Sequence, residues 1–247
     1  MIKVNVKDNY NFLLYGDSIS KGVTYDEEKN RYVTIKDSYA ELLQGKLKGM
    51  LYNAGKFGNT IIRGIKKLPE DLEKTRPDIV VVEFGGNDCD FNWEEIADNP
   101  IGEHLPKTDF TLFQNSLKSL VSSLKKINIT PVLMSLPPID ADRYFKWISK
   151  YDDFKAGNIL KWLGSVNKIY WWQEKYSSAV VSVAQETKTI WIDVRGAFLN
   201  TSDYTKLICK DGIHPNIQGH RIIADKIFDF IKCNYKFLLR DDALNLL

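Results

Sequence analysis

A serine near the start of this 247-residue chain and a histidine near its end are the two side chains best suited to nucleophilic catalysis. Ser18 follows an early apolar run, at a predicted turn from strand to helix, where a backbone N–H lies at a helix N-terminus and favours anions. His214 lies on a predicted loop, where an imidazole can titrate near neutral pH. A serine hydroxyl is a poor nucleophile until a base takes its proton, and histidine is suited to that role.

Two further segments offer hydrogen-bond donors. Gly55 and Gly58 follow a second predicted strand and would let the backbone turn sharply and present an N–H to a ligand. Asn87 follows the central predicted strand, and its amide can donate into a cleft. Each segment alone also fits a plain role, as a helix cap or a strand-to-helix loop. Fixed donors of this kind can stabilise the negative charge that develops on an attacked carbonyl oxygen.

Alternating strands and helices must position these residues. Short apolar runs predict strands at residues 11–15, 50–53, 79–84, 130–136 and 189–194. Amphipathic spacing predicts helices at about 39–48, 61–74, 109–127, 166–186 and 217–233. This alternation favours a parallel sheet with helices on both faces, whose site lies at the carboxyl ends of the strands.

The chain shows no repeat, low-complexity tract or linker, so we predict a single domain over residues 1–247. Two long insertions, at about 89–108 and 139–165, interrupt the alternation, and long connections in α/β domains are usually functional. Both are rich in aromatic residues, of which Trp93 and Trp147 are candidates for substrate contact. The alternative is that these rings pack the connections onto the domain.

Taken together, the four polar segments resemble those of the SGNH hydrolases, also called the GDSL-type esterase and lipase family. The matching residues are Ser18 in Gly-Asp-Ser, Gly58 in Asn-x-Gly-x-x-Gly, Asn87 in Gly-Gly-Asn-Asp, and His214 in Asp-x-x-His-Pro. They occur in the family's order and span nearly the whole chain. Ile19, where the family name has leucine, is a small departure.

The resemblance implies a three-layer α/β/α fold with a flavodoxin-like, doubly wound, five-stranded parallel sheet. It also implies a catalytic triad of Ser18, His214 and Asp211, and an oxyanion hole formed by the Ser18 N–H, the Gly58 N–H and the Asn87 side chain. Because only two residues separate Asp211 from His214, the aspartate has to curl back to reach Nδ1. A backbone carbonyl is the alternative partner of the imidazole.

The activity implied is serine-dependent hydrolysis of carboxylic esters through an acyl-enzyme intermediate, without a cofactor. We expect short acyl or acetyl esters of small molecules or sugars. A thioesterase or lysophospholipase of the same fold and a non-catalytic binding module are the alternatives. The glycine pattern does not meet the Gly-x-Gly-x-x-Gly order of a dinucleotide site.

Charge, cysteine content and hydrophobicity predict the class of binding partner and the cellular location. The formal net charge of +2 argues against nucleic acid or an anionic membrane as an obligatory partner. Cys89, Cys209 and Cys233 are far apart in sequence and suggest no disulfide framework, and His104 and His220 lack the spacing of metal ligands. No apolar run has the length of a membrane span or a signal peptide. We therefore expect a cytoplasmic protein with a small-molecule ester substrate, no metal and no membrane span.

Overall fold

The computed structural model describes residues 7–244, in which strands and helices alternate along most of the chain. The strands are β1 (Tyr10–Gly16), β2 (Val23–Asp26), β3 (Arg31–Thr34), β4 (Gly49–Asn53), β5 (Ile79–Glu83), β6 (Thr130–Met134) and β7 (Ile190–Ile192). The helices are α1 (Ser18–Lys21), α2 (Tyr39–Gln44), α3 (Ile61–Thr75), α4 (Trp93–Asp98), α5 (Phe110–Lys126), α6 (Ala141–Ile148), α7 (Asp153–Leu163), α8 (Asn167–Glu186), α9 (Val194–Leu199), α10 (Ile217–Asn234) and α11 (Asp241–Leu244). Single 3-10 turns occur at Tyr204–Leu207 and Lys236–Leu238.

Five strands form one parallel sheet in the order β4-β1-β5-β6-β7. The order confirms the flavodoxin-like, doubly wound fold, because the chain moves outward from β1 to β4 on one side and through β5, β6 and β7 on the other. The switch point lies between β1 and β5, where crevices for ligands form at the strands' carboxyl ends. Ser18 follows β1 and Asn87 follows β5, so both lie at that crevice.

Apolar side chains on both faces of the sheet produce the three layers. In β1, Phe12 and Leu14 belong to the cluster packed with α2 and α10, whereas Leu13 and Tyr15 belong to the cluster packed with α3, α5 and α8. Every residue of β5 is buried, including Glu83 at its end. The continuous apolar run that predicted a central strand is thus explained by cover on both faces.

The two long insertions contain helices. Residues 89–108 include α4, and residues 139–165 include α6 and α7. α4 packs against α7, and their buried residues, such as Ile96 and Ile159, form a third apolar cluster with Phe91, which precedes α4. Between β1 and β4, β2 and β3 form an antiparallel hairpin that the sequence analysis did not predict. None of the helices within residues 7–244 is both long and apolar enough to cross a membrane.

Candidate active site

Ser18 is the first residue of α1 and follows β1 after a tight turn. Asp17 caps the helix, since its Oδ1 accepts a hydrogen bond of 2.9 Å from the Ile19 backbone N–H. Gly16 lies opposite Glu83 in the sheet, and a Cβ there would lie 2.5 Å from the Glu83 carbonyl oxygen. The absence of a side chain therefore permits the close turn that brings Ser18 to the carboxyl edge of the sheet.

His214 connects Ser18 to Asp211 through two hydrogen bonds. His214 Nε2 lies 2.9 Å from Ser18 Oγ, and His214 Nδ1 lies 2.5 Å from Asp211 Oδ2. Asp211 Oδ1 accepts the backbone N–H groups of Ile213 and His214, each at 3.1 Å. These bonds curl the loop so that the short Asp-x-x-His spacing suffices. The hydrogen-bond partner of His214 Nδ1 is therefore the Asp211 carboxylate rather than a backbone carbonyl.

The expected hydrogen-bond donors line the same cleft as Ser18 and His214. Gly58 has a φ of 66° and open space where a Cβ would stand, which fits a backbone turned towards a ligand. Asn87 Nδ2 donates to Asp17 Oδ2 at 2.9 Å. An amide nitrogen has two hydrogens, so this bond leaves the second one for another acceptor. The structure thus brings Ser18, Gly58, Asn87, Asp211 and His214 to one place.

Two buried acids lie beside Ser18, and the sequence analysis predicted a functional role for neither of them. Asp17 is 2% exposed and Glu83 is 1% exposed. Burial raises the pKa of Asp17, and burial together with the neighbouring Asp17 charge raises the pKa of Glu83 well above its usual value. A signal was present in the sequence, since Glu83 is a charged residue in an otherwise apolar strand.

A mostly apolar cleft of about 560 Å³ continues from Ser18 between the two insertions. This volume lies within the range of about 300–1,000 Å³ typical of small-molecule sites. Apolar side chains from α4, α7, α8 and the preceding connections line it; they include Phe91, Trp93, Leu105, Trp162, Ile169 and Trp172. Cys89 also lines the cleft, and burial raises the pKa of its thiol. A thiol held neutral in this way is a poor nucleophile.

The two tryptophans expected to contact substrate lie in different places. Trp93 lines the cleft, and its Nε1 donates to Asp90 Oδ1 at 2.7 Å. Trp147 packs on the β2–β3 hairpin, with its ring centroid 4.8 Å from that of Tyr25 and 6.3 Å from that of Tyr32. Trp93 therefore lies in the cleft, whereas Trp147 contacts the hairpin and is not among the residues that line the cleft.

Two aromatic residues, Tyr32 and Phe57, pack against His214. The sequence analysis did not single out either of them. The ring centroid of Tyr32 lies 5.1 Å from that of His214, and Phe57 stacks on His214 at 6.0 Å with an interplanar angle of 13°. Phe57 remains 54% exposed and forms the rim of the cleft. Burial and the nearby Asp211 raise the pKa of Tyr32.

The other two histidines lie in different surroundings. Burial lowers the pKa of His220 to about 4, and its ring stacks on Tyr39. His104 Nε2 lies 2.9 Å from the Asn99 carbonyl oxygen. Over residues 7–244, no three or more His, Cys, Asp and Glu side chains are grouped so that they could hold a metal ion.

The chain is similar in sequence to known esterases and lipases. The profile of the GDSL-like lipase/acylhydrolase family matches residues 14–222. A GDSL esterase/lipase of Arabidopsis thaliana is 26% identical over 168 residues, which cover 66% of this chain and 57% of the plant protein. An acetylxylan esterase of Geobacillus stearothermophilus is 25% identical over 226 residues, which cover 86% of this chain and 89% of that protein.

Solved structures show the same fold. A lipase/acylhydrolase from Enterococcus faecalis superposes with a TM-score of 0.64 at 19% identity, covering 93% of this chain and 96% of the other. An acetylxylan esterase from Geobacillus stearothermophilus superposes with a TM-score of 0.62 at 22% identity, covering 96% of this chain and all of the other. At these identities the superpositions establish the three-layer fold.

Proposed function

The chain belongs to the GDSL-like lipase/acylhydrolase family and is a hydrolase that acts on esters, and we propose that Ser18 is its nucleophile. The observation that carries the proposal is the buried chain of hydrogen bonds from Asp211 through His214 to Ser18. A non-catalytic binding module would not need this arrangement. Ser18-dependent release of product from an ester is the experiment that tests the proposal.

The reaction follows from the positions of these groups. Ser18 Oγ attacks the ester carbonyl while His214 Nε2 takes its proton, and the Asp211 carboxylate stabilises the resulting imidazolium. The backbone N–H groups of Ser18 and Gly58 and the Asn87 amide stabilise the oxyanion. His214 then gives its proton to the leaving alcohol. The same imidazole activates a water that hydrolyses the acyl-enzyme and frees Ser18.

Replacing Asn87 by alanine is expected to lower kcat by about 10²–10³-fold, the usual effect of losing one oxyanion donor. KM should change little, because that hydrogen bond strengthens as negative charge develops on the carbonyl oxygen. Steady-state kinetics of Asn87→Ala beside Asn200→Ala, at an exposed site outside the cleft, measure this. A wild-type kcat in Asn87→Ala would remove the amide from the proposed oxyanion hole.

The volume and apolar lining of the cleft favour a larger acyl group than the acetyl group expected from the sequence. His214, which would protonate the leaving alcohol, is in contact with Tyr32 and Phe57, so the alcohol would leave next to these two rings. The acyl group would therefore occupy the opposite side, towards the aromatic walls. An acetyl group would leave most of that apolar volume empty. The apolar lining thus favours the long-acyl alternative, of the kind found in a thioesterase or lysophospholipase.

The acyl-chain preference can be measured with p-nitrophenyl esters from acetate to long chains. Each buried methylene contributes about 0.8 kcal/mol, so kcat/KM should rise by up to about fourfold per methylene until the cleft is filled. Trp162→Ala should flatten this rise because it removes part of the wall. Phe154→Ala, at a ring that is 77% exposed and outside the cleft, is the matched control. Highest activity on acetate, falling with each methylene, would instead favour the acetyl esters.

A further inference from the structure

Asp17 and Glu83 are neighbouring buried carboxyl groups: Glu83 pairs with Gly16, the residue before Asp17, across β1 and β5, and each group shifts the pKa of the other. The ion pairs formed by residues 7–244 include neither of them. Two carboxylates in contact at a buried site cannot both be ionised, because their repulsion adds to the cost of desolvating each charge. The pair therefore keeps one proton near neutral pH.

The surrounding donors indicate which carboxyl group carries that proton. Asp17 accepts two hydrogen bonds of 2.9 Å, from the Ile19 backbone N–H and from Asn87 Nδ2, as a carboxylate would. Glu83 Oε2 accepts a hydrogen bond from Ser20 Oγ, but Glu83 Oε1 has no donor among the described residues. A buried oxygen without a donor is satisfied if it is protonated and donates to the neighbouring carboxylate. The proton therefore belongs on Glu83.

The proton on Glu83 affects two expected oxyanion donors, the Asn87 amide and the Ser18 backbone N–H, through Asp17. The Asn87 amide is held by its bond to Asp17, and a hydrogen bond to an ionised acceptor is stronger than one between neutral groups. A proton donated by Glu83 keeps Asp17 as the single carboxylate and fixes the position of its side chain. Asp17 also caps α1, the helix that begins with Ser18. Both the amide and the Ser18 backbone N–H thus depend on where Asp17 lies.

We propose that Glu83 shares its proton with Asp17 and in this way holds Asn87 and the turn at Ser18 in the orientation that binds the oxyanion. Glu83 is a positioning residue, because it acts through Asp17. The inference rests on the proposed function for its effect on rate, but the protonation of Glu83 does not depend on any substrate.

Infrared difference spectroscopy tests the proton directly. The spectrum of wild type minus that of Glu83→Gln, near neutral pH, should contain the C=O stretch of a protonated carboxylic acid. The same subtraction with Glu73→Gln, an exposed glutamate on α3, should lack that band. If the Glu83 difference shows only carboxylate bands, the shared proton is refuted, whatever the protein's activity on esters.

Kinetics of two variants test the positioning role. Glutamine can still donate a hydrogen bond to Asp17, so kcat of Glu83→Gln should fall by no more than about threefold. Leucine cannot donate, so kcat of Glu83→Leu should fall by about 10–100-fold. This decrease is smaller than the one expected when a direct oxyanion donor is removed. KM should change by less than about threefold in both variants, since the oxyanion forms after substrate binds. Equal losses in the two variants, or a wild-type kcat in Glu83→Leu, would overturn the positioning role. If wild type hydrolysed no ester, the proposed function would fail, while the infrared result would still decide whether the carboxyl pair holds a proton.

Discussion

Replacing Ser18 by alanine is expected to lower kcat on p-nitrophenyl esters by at least about 10⁴-fold, because no other group can form the acyl-enzyme. Ser18 Oγ contacts His214 Nε2, and this single hydrogen bond contributes about 1 kcal/mol to stability. The Tm should therefore change by only a few degrees. Initial rates and thermal unfolding of the same preparations measure both effects.

Ser178→Ala is the matched control for Ser18→Ala, since Ser178 is an exposed serine on α8 outside the cleft. It should retain the wild-type rate. A Ser18→Ala protein that is folded and keeps a rate within tenfold of wild type would contradict the nucleophilic role of this serine.

The second large effect is expected for His214→Gln, with a loss of about 10⁴–10⁶-fold in kcat, since Ser18 would have no base. Glutamine is preferable to alanine at this position. Its amide can still donate to Asp211, which is completely buried and would otherwise lose its imidazole partner. Stopped-flow measurement of the first turnover should show that acylation itself is slowed.

Asp211→Asn separates the role of the carboxylate from that of the imidazole. It should lower kcat by about 10⁴-fold, because the amide cannot stabilise the imidazolium and favours the wrong tautomer of His214. If this variant and His214→Gln each kept a rate within tenfold of wild type, the base would have to be another group.

The sequence predicted the site best where a motif with polar residues follows the carboxyl end of a strand. Gly-Asp-Ser after β1 and Gly-Gly-Asn-Asp after β5 could be placed at one edge of the sheet because parallel strands end together. The apolar runs predicted the five sheet strands to within a few residues. The profile match then confirmed the family resemblance that these motifs suggested.

Features that depend on tertiary contacts were not predicted. The β2–β3 hairpin is short, and its tyrosines are held by contact with Trp147 from a distant helix. The helices α6 and α7 are short, and their apolar side chains pack against α8 and α4, which are distant in sequence. The pairing of Glu83 with Asp17 depends on the register of β1 against β5, which puts Glu83 beside Gly16.

The sequence also did not predict which aromatic rings of the two insertions face the cleft. Composition marked the two insertions as aromatic, but whether a ring faces the cleft depends on helix orientation. Trp93 and Trp162 line the cleft, whereas Phe154 points to solvent although it comes from the same two insertions. Side-chain direction on a short helix is set by what the helix packs against, and the sequence alone did not specify that partner.

The proposed mechanism requires that Ser18 becomes covalently acylated, and a stable adduct on this serine can be trapped. We would treat the protein with diethyl p-nitrophenyl phosphate, which leaves a stable phosphoryl group on an activated serine, and map the modified peptide by mass spectrometry. The predicted result is one adduct per chain, located on Ser18, absent from Ser18→Ala and greatly slowed in His214→Gln. An adduct on another residue, or none on a folded wild-type protein that hydrolyses p-nitrophenyl esters, would show that Ser18 is not the nucleophile.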